Sequence, residues 1–486
     1  MLVLITVGVY FSLLLLISRL TGRGGNDAFF RGNRQSPWPL VAFGMIGATL
    51  SGVTFVSVPG MVLGSNMGYM QMCLGYFFGY LAIAYILLPI YYRLNLTSIY
   101  TYLDHRFGKV SYKTGASFFL ISKLTGAAAR LYLVCLILQN YVFDDLGVPY
   151  LVTVLGTLLL IWLYTRKSGI KTLVWTDSLQ TLCFLVTILL ILWKGAEMLQ
   201  MTPRETWSAI WNDSHSQILD FSDWTSRNYF WKQFLSGIFI VIVMTGLDQD
   251  MMQKNLTCKD LKSAQKDMCF SGVLFVVVIG LVMMLGVLMT LLYAHTGTPL
   301  PTAGDSLIPG FINSGLMGES VLVIFIIGII ASAFSSADSA LTALTTSFCI
   351  DMLEIENPER CYKPLQGKNP EHVRKVVHVF MTMFFILFIM GFKALGSTSV
   401  IDTLLTMVSY TYGPLLGMYA FGIFCRRMPR EKFVPYIAVT SPVVCFLLDY
   451  YAQQVFGYKF GYELLILNGT LTAVLLACQS KRSEES

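Results

Sequence analysis

Apolar runs of about 20 residues, long enough to cross a hydrocarbon core as a helix, recur from one end of this chain to the other. A chain built this way has few folds open to it. In lipid every backbone N–H and C=O must find a partner inside the protein, and helices satisfy that need within each segment. Only 13% of the residues are charged and 55% are apolar, with a mean hydropathy of +0.63, so a water-soluble surface could not be covered. The expectation is an all-α polytopic membrane protein, one transmembrane domain over residues 1–486. Spans fall at about 1–17, 38–63, 70–92, 114–142, 148–165, 172–195, 228–248, 269–294, 320–348, 377–395, 399–424, 433–450 and 461–478, thirteen in all.

The net charge of +6 does not point to nucleic acid, because the basic residues sit in short loops on alternate sides of the spans. Arg19, Arg23, Arg31 and Arg34 follow the first span. The loop taken to begin after residue 248 is basic as well. By the positive-inside rule these loops face the cytoplasm, which puts the N-terminus outside and the C-terminus inside a plasma membrane, the inner membrane of a bacterium being the expected one. The first span has no basic leader or small-residue cleavage site and reads as a retained helix. The five histidines show no zinc-ligand spacing, and the ten cysteines suit core positions and cytoplasmic thiols better than a disulfide framework. The longest segments between spans, about 196–227 and 349–376, are too short for catalytic domains. Function must reside among the spans.

Ionisable and polar side chains inside spans are costly there and therefore informative. Lys123 and Arg130 stand two helical turns apart on one face of their span. Lys123 reads either as a snorkelling or ion-paired residue or as part of a site, whereas Arg130, set among alanines, needs a buried partner or an anionic ligand. Asp177 and Asp338 are the carboxylates. Around Asp338 runs Ser332-Ala333-Phe334-Ser335-Ser336-Ala337-Asp338-Ser339, an oxygen-rich turn in an apolar span. Serines there permit close helix packing, but the carboxylate adds what a small hard cation needs. Gly44, Gly47, Gly52, Pro59, Gly60 and Gly64 interrupt the 38–63 span around Thr49, Ser51 and Thr54. The segment is either a kinked helix or an unwound one whose carbonyls line a cavity.

Five stretches together resemble one family. Asn26-Asp27-Ala28-Phe29-Phe30-Arg31-Gly32-Asn33-Arg34 before Pro37-Trp38 is similar to the first cytoplasmic loop of the sodium/solute symporters. Ala48-Thr49-Leu50-Ser51-Gly52-Val53-Thr54-Phe55 with Pro59 resembles their unwound helix, and Gly169-Ile170-Lys171 with Trp175-Thr176-Asp177-Ser178-Leu179-Gln180 the start of their sixth span. Ser332-x-x-Ser335-Ser336 resembles their sodium-binding helix, and Ser409-Tyr410-Thr411-Tyr412-Gly413-Pro414 their late glycine-rich one.

The resemblance implies a LeuT-type core of two inverted five-helix repeats, about 38–195 and 228–424, with one extra helix before and two after. It implies a first sodium site from Gly47, Leu50, Ser332, Ser335 and Ser336. Sialic acid symporters of the family carry a second sodium site, matched here by Asp177, Ser335 and Ser339. Asp338 stands where those proteins have a serine, so this second site holds either sodium or a proton. Thr49, Ser51 and Thr54, with Tyr69 and Gln71 of the next span, are expected to face the solute. The arginine that engages the sugar-acid carboxylate in the sialic acid symporters falls near Gly126, one turn before Arg130, which can substitute for it.

The expected function is sodium-coupled symport of a small organic anion, a sugar acid such as sialic acid or a monocarboxylate. Sodium is the coupling ion, and solute, sodium and the lipid bilayer are the expected partners, with no nucleic acid and no obligate protein partner. Import of a neutral sugar, polyol or amino acid is the alternative, coupled to sodium or protons. A non-transporting solute sensor and an intramembrane enzyme lack their required features, so the chain is not expected to be an enzyme.

Overall fold

The computed structural model describes residues 2–21, 25–166, 169–395 and 400–481. Arg23 of the first basic loop and the last residues of the C-terminal tail lie outside them. Among the described residues, seven helices are long and apolar enough to cross a membrane. Two further pairs pass the same test together, although each is bent at a short break, and four shorter apolar helices complete the set.

In chain order the elements that matter are α1 (Leu2–Thr21), α2 (Trp38–Thr49), α3 (Gly52–Gly60), α4 (Tyr69–Ala82), α5 (Lys109–Leu138), α6 (Tyr150–Thr165), α7 (Ile170–Met198), α8 (Phe230–Val241), α9 (Gln249–Asn255), α10 (Leu261–Thr296) and α11 (Glu319–Ser347). After them come α12 (Pro370–Leu395), α13 (Val400–Thr411), α14 (Gly413–Phe424), α15 (Val434–Phe456) and α16 (Leu464–Cys478). One departure from an all-helical chain is a two-residue strand pair, Met428–Pro429 with Ser480–Lys481.

The 38–63 segment is broken. Trp38–Thr49 and Gly52–Ser65 meet at 58°. Leu50 (φ −80°, ψ 83°) and Ser51 (φ −81°, ψ 172°) leave the helical region, and Gly52 restarts the chain as the first residue of α3. A second break has no equal in the sequence reading. Phe230–Gly246 and Gln249–Asn255 meet at 69°, so the span expected to stop at 248 continues past its own bend. Asp248 caps the new helix by accepting the Asp250 N–H at 2.9 Å.

Helices close to backbone distance where a glycine meets the main chain of its neighbour. A Cβ on Gly75 would run into the Phe234 carbonyl, and one on Gly237 into the Met72 carbonyl, which locks α4 against α8. Gly75→Ala is expected to cost about 1–3 kcal/mol through overpacking, read as a lowered melting temperature of the purified protein.

Candidate functional site

Three elements converge at the first break. The Ser51 N–H turns back to the Thr49 carbonyl at 3.1 Å, so the Gly47 carbonyl loses the partner that a continuous helix would give it. The missing side chain of Gly47 is what admits the neighbours. A Cβ there would stand 2.9 Å from the Asp177 carbonyl and 3.1 Å from Ser335 Oγ, and would collide with Thr181 Oγ1. The structure thus brings Gly47 of α2, Asp177 of α7 and Ser335 of α11 to one buried point. Ser332 and Ser336 lie on the same helix and are bonded to each other, the Ser336 hydroxyl donating to the Ser332 carbonyl at 3.0 Å. Freed carbonyls, small hydroxyls and a carboxylate in a buried interior form an oxygen set suited to a hard monovalent cation.

Asp177 is more heavily engaged than its sequence context suggests. The Ser335 hydroxyl donates to its Oδ1 at 3.0 Å and the Ser339 hydroxyl to its Oδ2 at 3.1 Å. The Lys254 ammonium stands 2.7 Å from the same Oδ2, both side chains being wholly buried. Lys254 belongs to α9, beyond the second bend, so the basic loop expected after residue 248 is corrected here. The bent half-span turns inward because its charges pair with charges on other helices. Asp338, the other carboxylate expected at this site, takes a 2.6 Å hydrogen bond from Tyr164 of α6.

Lys123 has an equally specific environment. Its ammonium lies 3.0 Å from Asp248 Oδ2 and 2.7 Å from Asp250 Oδ2, and the Tyr412 hydroxyl donates to Asp248 at 2.8 Å. This is the ion-paired alternative for Lys123, and it fastens α5 to the second bend. The cost of burying charges is met by neutralising them pairwise.

A cavity opens between the two bends. Thr49, Ser51, Thr54, Tyr69 and Arg130 line it, together with the Lys123–Asp248 pair and Tyr412. Among the described residues Arg130 makes no hydrogen bond or ion pair with another side chain, whereas Lys123 is committed. Gln71 is not at the cavity wall. It is fully buried, donating to the Gly68 and Asn228 carbonyls and accepting the Asp220 N–H at 2.9 Å. An amide that can satisfy three main-chain groups is held chiefly by the 220–228 segment, so its predicted role at the solute is corrected.

The sequence reading missed Asp248, Asp250, Lys254, Tyr412 as an aspartate partner, and Tyr164. A usable signal was present. Lys123 and Asp177 each required an opposite charge, and Asp248, Asp250 and Lys254 follow Gly246 closely enough to supply them.

A family model described as the sodium:solute symporter family matches residues 29–432. The human sodium/iodide cotransporter is 26% identical over 85% of this chain, and the match spans 65% of that protein's length. The sodium/sialic acid symporter SiaT of Proteus mirabilis (strain HI4320) is 24% identical over 98% of this chain and 93% of its own. A solved structure, the substrate-bound outward-open state of a sodium-coupled sialic acid symporter, superposes with a TM-score of 0.79. It does so at 19% identity and covers 99% of each chain, so it establishes the fold.

Proposed function

This chain belongs to the sodium:solute symporter family, and from that premise we propose that it imports a small organic anion, a sugar acid or monocarboxylate, together with sodium. The observation that carries the anion is Arg130, a guanidinium on the cavity wall whose neighbour Lys123 is already neutralised. A planar guanidinium suits a carboxylate, and the hydroxyls of Thr49, Ser51, Thr54 and Tyr69 suit the polar remainder of a solute. Two of the relatives are named for anions, iodide and sialic acid.

Sodium on this reading is taken up as a co-substrate by the Gly47 and Leu50 carbonyls and by Ser332, Ser335 and Ser336. Because the first break belongs to both this set and the solute cavity, each ligand favours the conformation that the other needs. Coupling of that kind is reciprocal, so sodium tightens solute and solute tightens sodium. We take the four shorter apolar helices as spans too, which makes thirteen, with repeats at 38–195 and 228–424. In favour of the repeats, each of the two bent pairs is the first span of one of them. The basic loops favour an outer N-terminus and an inner C-terminus.

The test is the thermal stability of the purified protein against sugars, sugar acids, amino acids and monocarboxylates, in sodium and in potassium. An anion at about 100 times its Kd is expected to add about 2.7 kcal/mol in sodium and little in potassium. Ser336→Ala should weaken the sodium dependence and leave the order of preference among solutes intact. Equal shifts in both salts, or a preference for neutral compounds, would overturn the sodium or the anion half of the reading respectively.

A further inference from the structure

A groove of about 700 Å³ runs between α6 and α12, away from the solute cavity. One wall is apolar. Val376, Val379, Phe380 and Met383 follow one another at helical spacing on α12, and all four are exposed. Arg166, which ends α6, and Lys375, near the start of α12, stand at one end of the same groove. That end is the one the basic loops assign to the cytoplasm, and Trp162 beside it suits the level of lipid headgroups. The floor is fixed. His378 is buried there and hydrogen-bonds Thr165 of α6 at 3.1 Å and Thr345 of α11 at 2.9 Å, which sets the spacing of α6 and α12.

The charges at this end do not cancel. The Arg166 guanidinium lies 4.8 Å over the Trp162 ring and has no ion pair among the described residues. Lys375 and the buried Arg374 share one carboxylate, Glu371, at 2.9 and 3.7 Å. Three cations therefore face a single anion. A second groove, between α5 and α15, differs in this respect. Lys109 and Lys113 stand beside its apolar wall of Val110, Phe118, Ile121 and Val439. Both of those lysines reach Glu354, Lys109 at 3.3 Å, and the Lys113 ammonium also donates to the Met352 carbonyl at 3.2 Å.

We propose that the α6–α12 groove binds an anionic glycerophospholipid of the cytoplasmic leaflet. Arg166 and Lys375 hold its phosphate, and its acyl chains lie along the α12 stripe. The pattern of charge selects this occupant. A small free anion would meet the cations and leave the stripe uncovered. A neutral lipid would cover the stripe and leave Arg166 without a counter-charge. An anionic amphiphile answers both ends, and the guanidinium offers its phosphate a two-pronged donor. The site rests on the orientation proposed above and is independent of the solute and the coupling ion.

The experiment is the thermal stability of the full-length protein in a neutral detergent at constant ionic strength. It is titrated with phosphatidylglycerol, with phosphatidylcholine of the same acyl chains, and with inorganic phosphate. Phosphatidylglycerol should stabilise at a concentration about 25-fold below phosphatidylcholine, about fivefold for each cation it meets, and phosphate should do little. Arg166→Gln should remove about fivefold of that preference, and Arg166→Gln with Lys375→Gln nearly all of it. Both side chains are exposed, so these variants keep the packed interior intact. Lys109→Gln, at the other groove, should leave the preference unchanged. Equal action of the two lipids on the wild type overturns the site, as does a preference that survives in the double variant. A shift reproduced by phosphate alone makes the cations a free-anion site and overturns the lipid. A loss in Lys109→Gln as large as in Arg166→Gln reports overall surface charge and overturns the groove.

Discussion

Lys254→Met is expected to destabilise the protein by about 3–5 kcal/mol, and Asp177→Asn added to it should restore most of the loss. The lysine and the aspartate are both wholly buried and 2.7 Å apart, so removing the ammonium leaves a carboxylate with two serine hydroxyls and no cation. Asp250 contributes a weaker attraction to Lys254 at 3.8 Å and keeps its 2.7 Å pair with Lys123. The double variant removes both charges, and the amide that replaces the carboxylate can still hydrogen-bond the serines. Unfolding of the purified protein by denaturant, run as a double-mutant cycle, isolates the pair. A single variant as stable as wild type would show that the pair is not held in the folded protein. A double variant no better than the single would show that Lys254 acts through packing.

The pair also has a functional consequence. Lys254 lies beyond the second bend, so this bond and the Lys123 bonds to Asp248 and Asp250 tie the second bent span to α5 and α7. Movement of that span must carry these pairs along or exchange them. Sodium sensitivity measured on the rescued double variant therefore reports on the conformational equilibrium as well as on the site.

Reading the sequence alone reached the first bend and missed the second for a definite reason. Around Leu50 a run of glycines and Pro59 interrupts an apolar stretch, which is a local signal. At Leu247–Asp248 the break follows a single glycine, and the half-helix beyond it carries Asp250, Gln253 and Lys254. Along the chain such a segment is polar and reads as a loop. In three dimensions its charges cancel against Asp177 and Lys123 from other helices, a cancellation that hydropathy cannot register. Gln71 failed the other way, since a polar side chain in a span was taken to face the solute when it was meeting main-chain groups of the 220–228 segment. The serine turn at 332–339 was legible because its oxygens are neighbours in sequence.

The second large effect concerns the solute. Arg130→Ala is expected to weaken binding of an anionic solute by about 2–5 kcal/mol, at least thirtyfold, with sodium binding in its absence nearly unchanged. The cavity offers two cationic side chains, and Lys123 has two carboxylates within 3.0 Å, so its charge is spent. Arg130 stands on the same face of α5 two turns further on, beside the hydroxyls of the first break. On the anion reading it is the charge a carboxylate would meet there. Arg130→Lys should recover only part of the loss, because an ammonium replaces the charge and not the two-pronged donor geometry. The measurement is solute affinity by thermal shift or uptake competition, with an uncharged analogue of the best anion in parallel. A loss confined to the anion assigns the guanidinium to its carboxylate. An equal loss for both makes Arg130 a support for the cavity wall, and no loss for either transfers the solute to the neutral class.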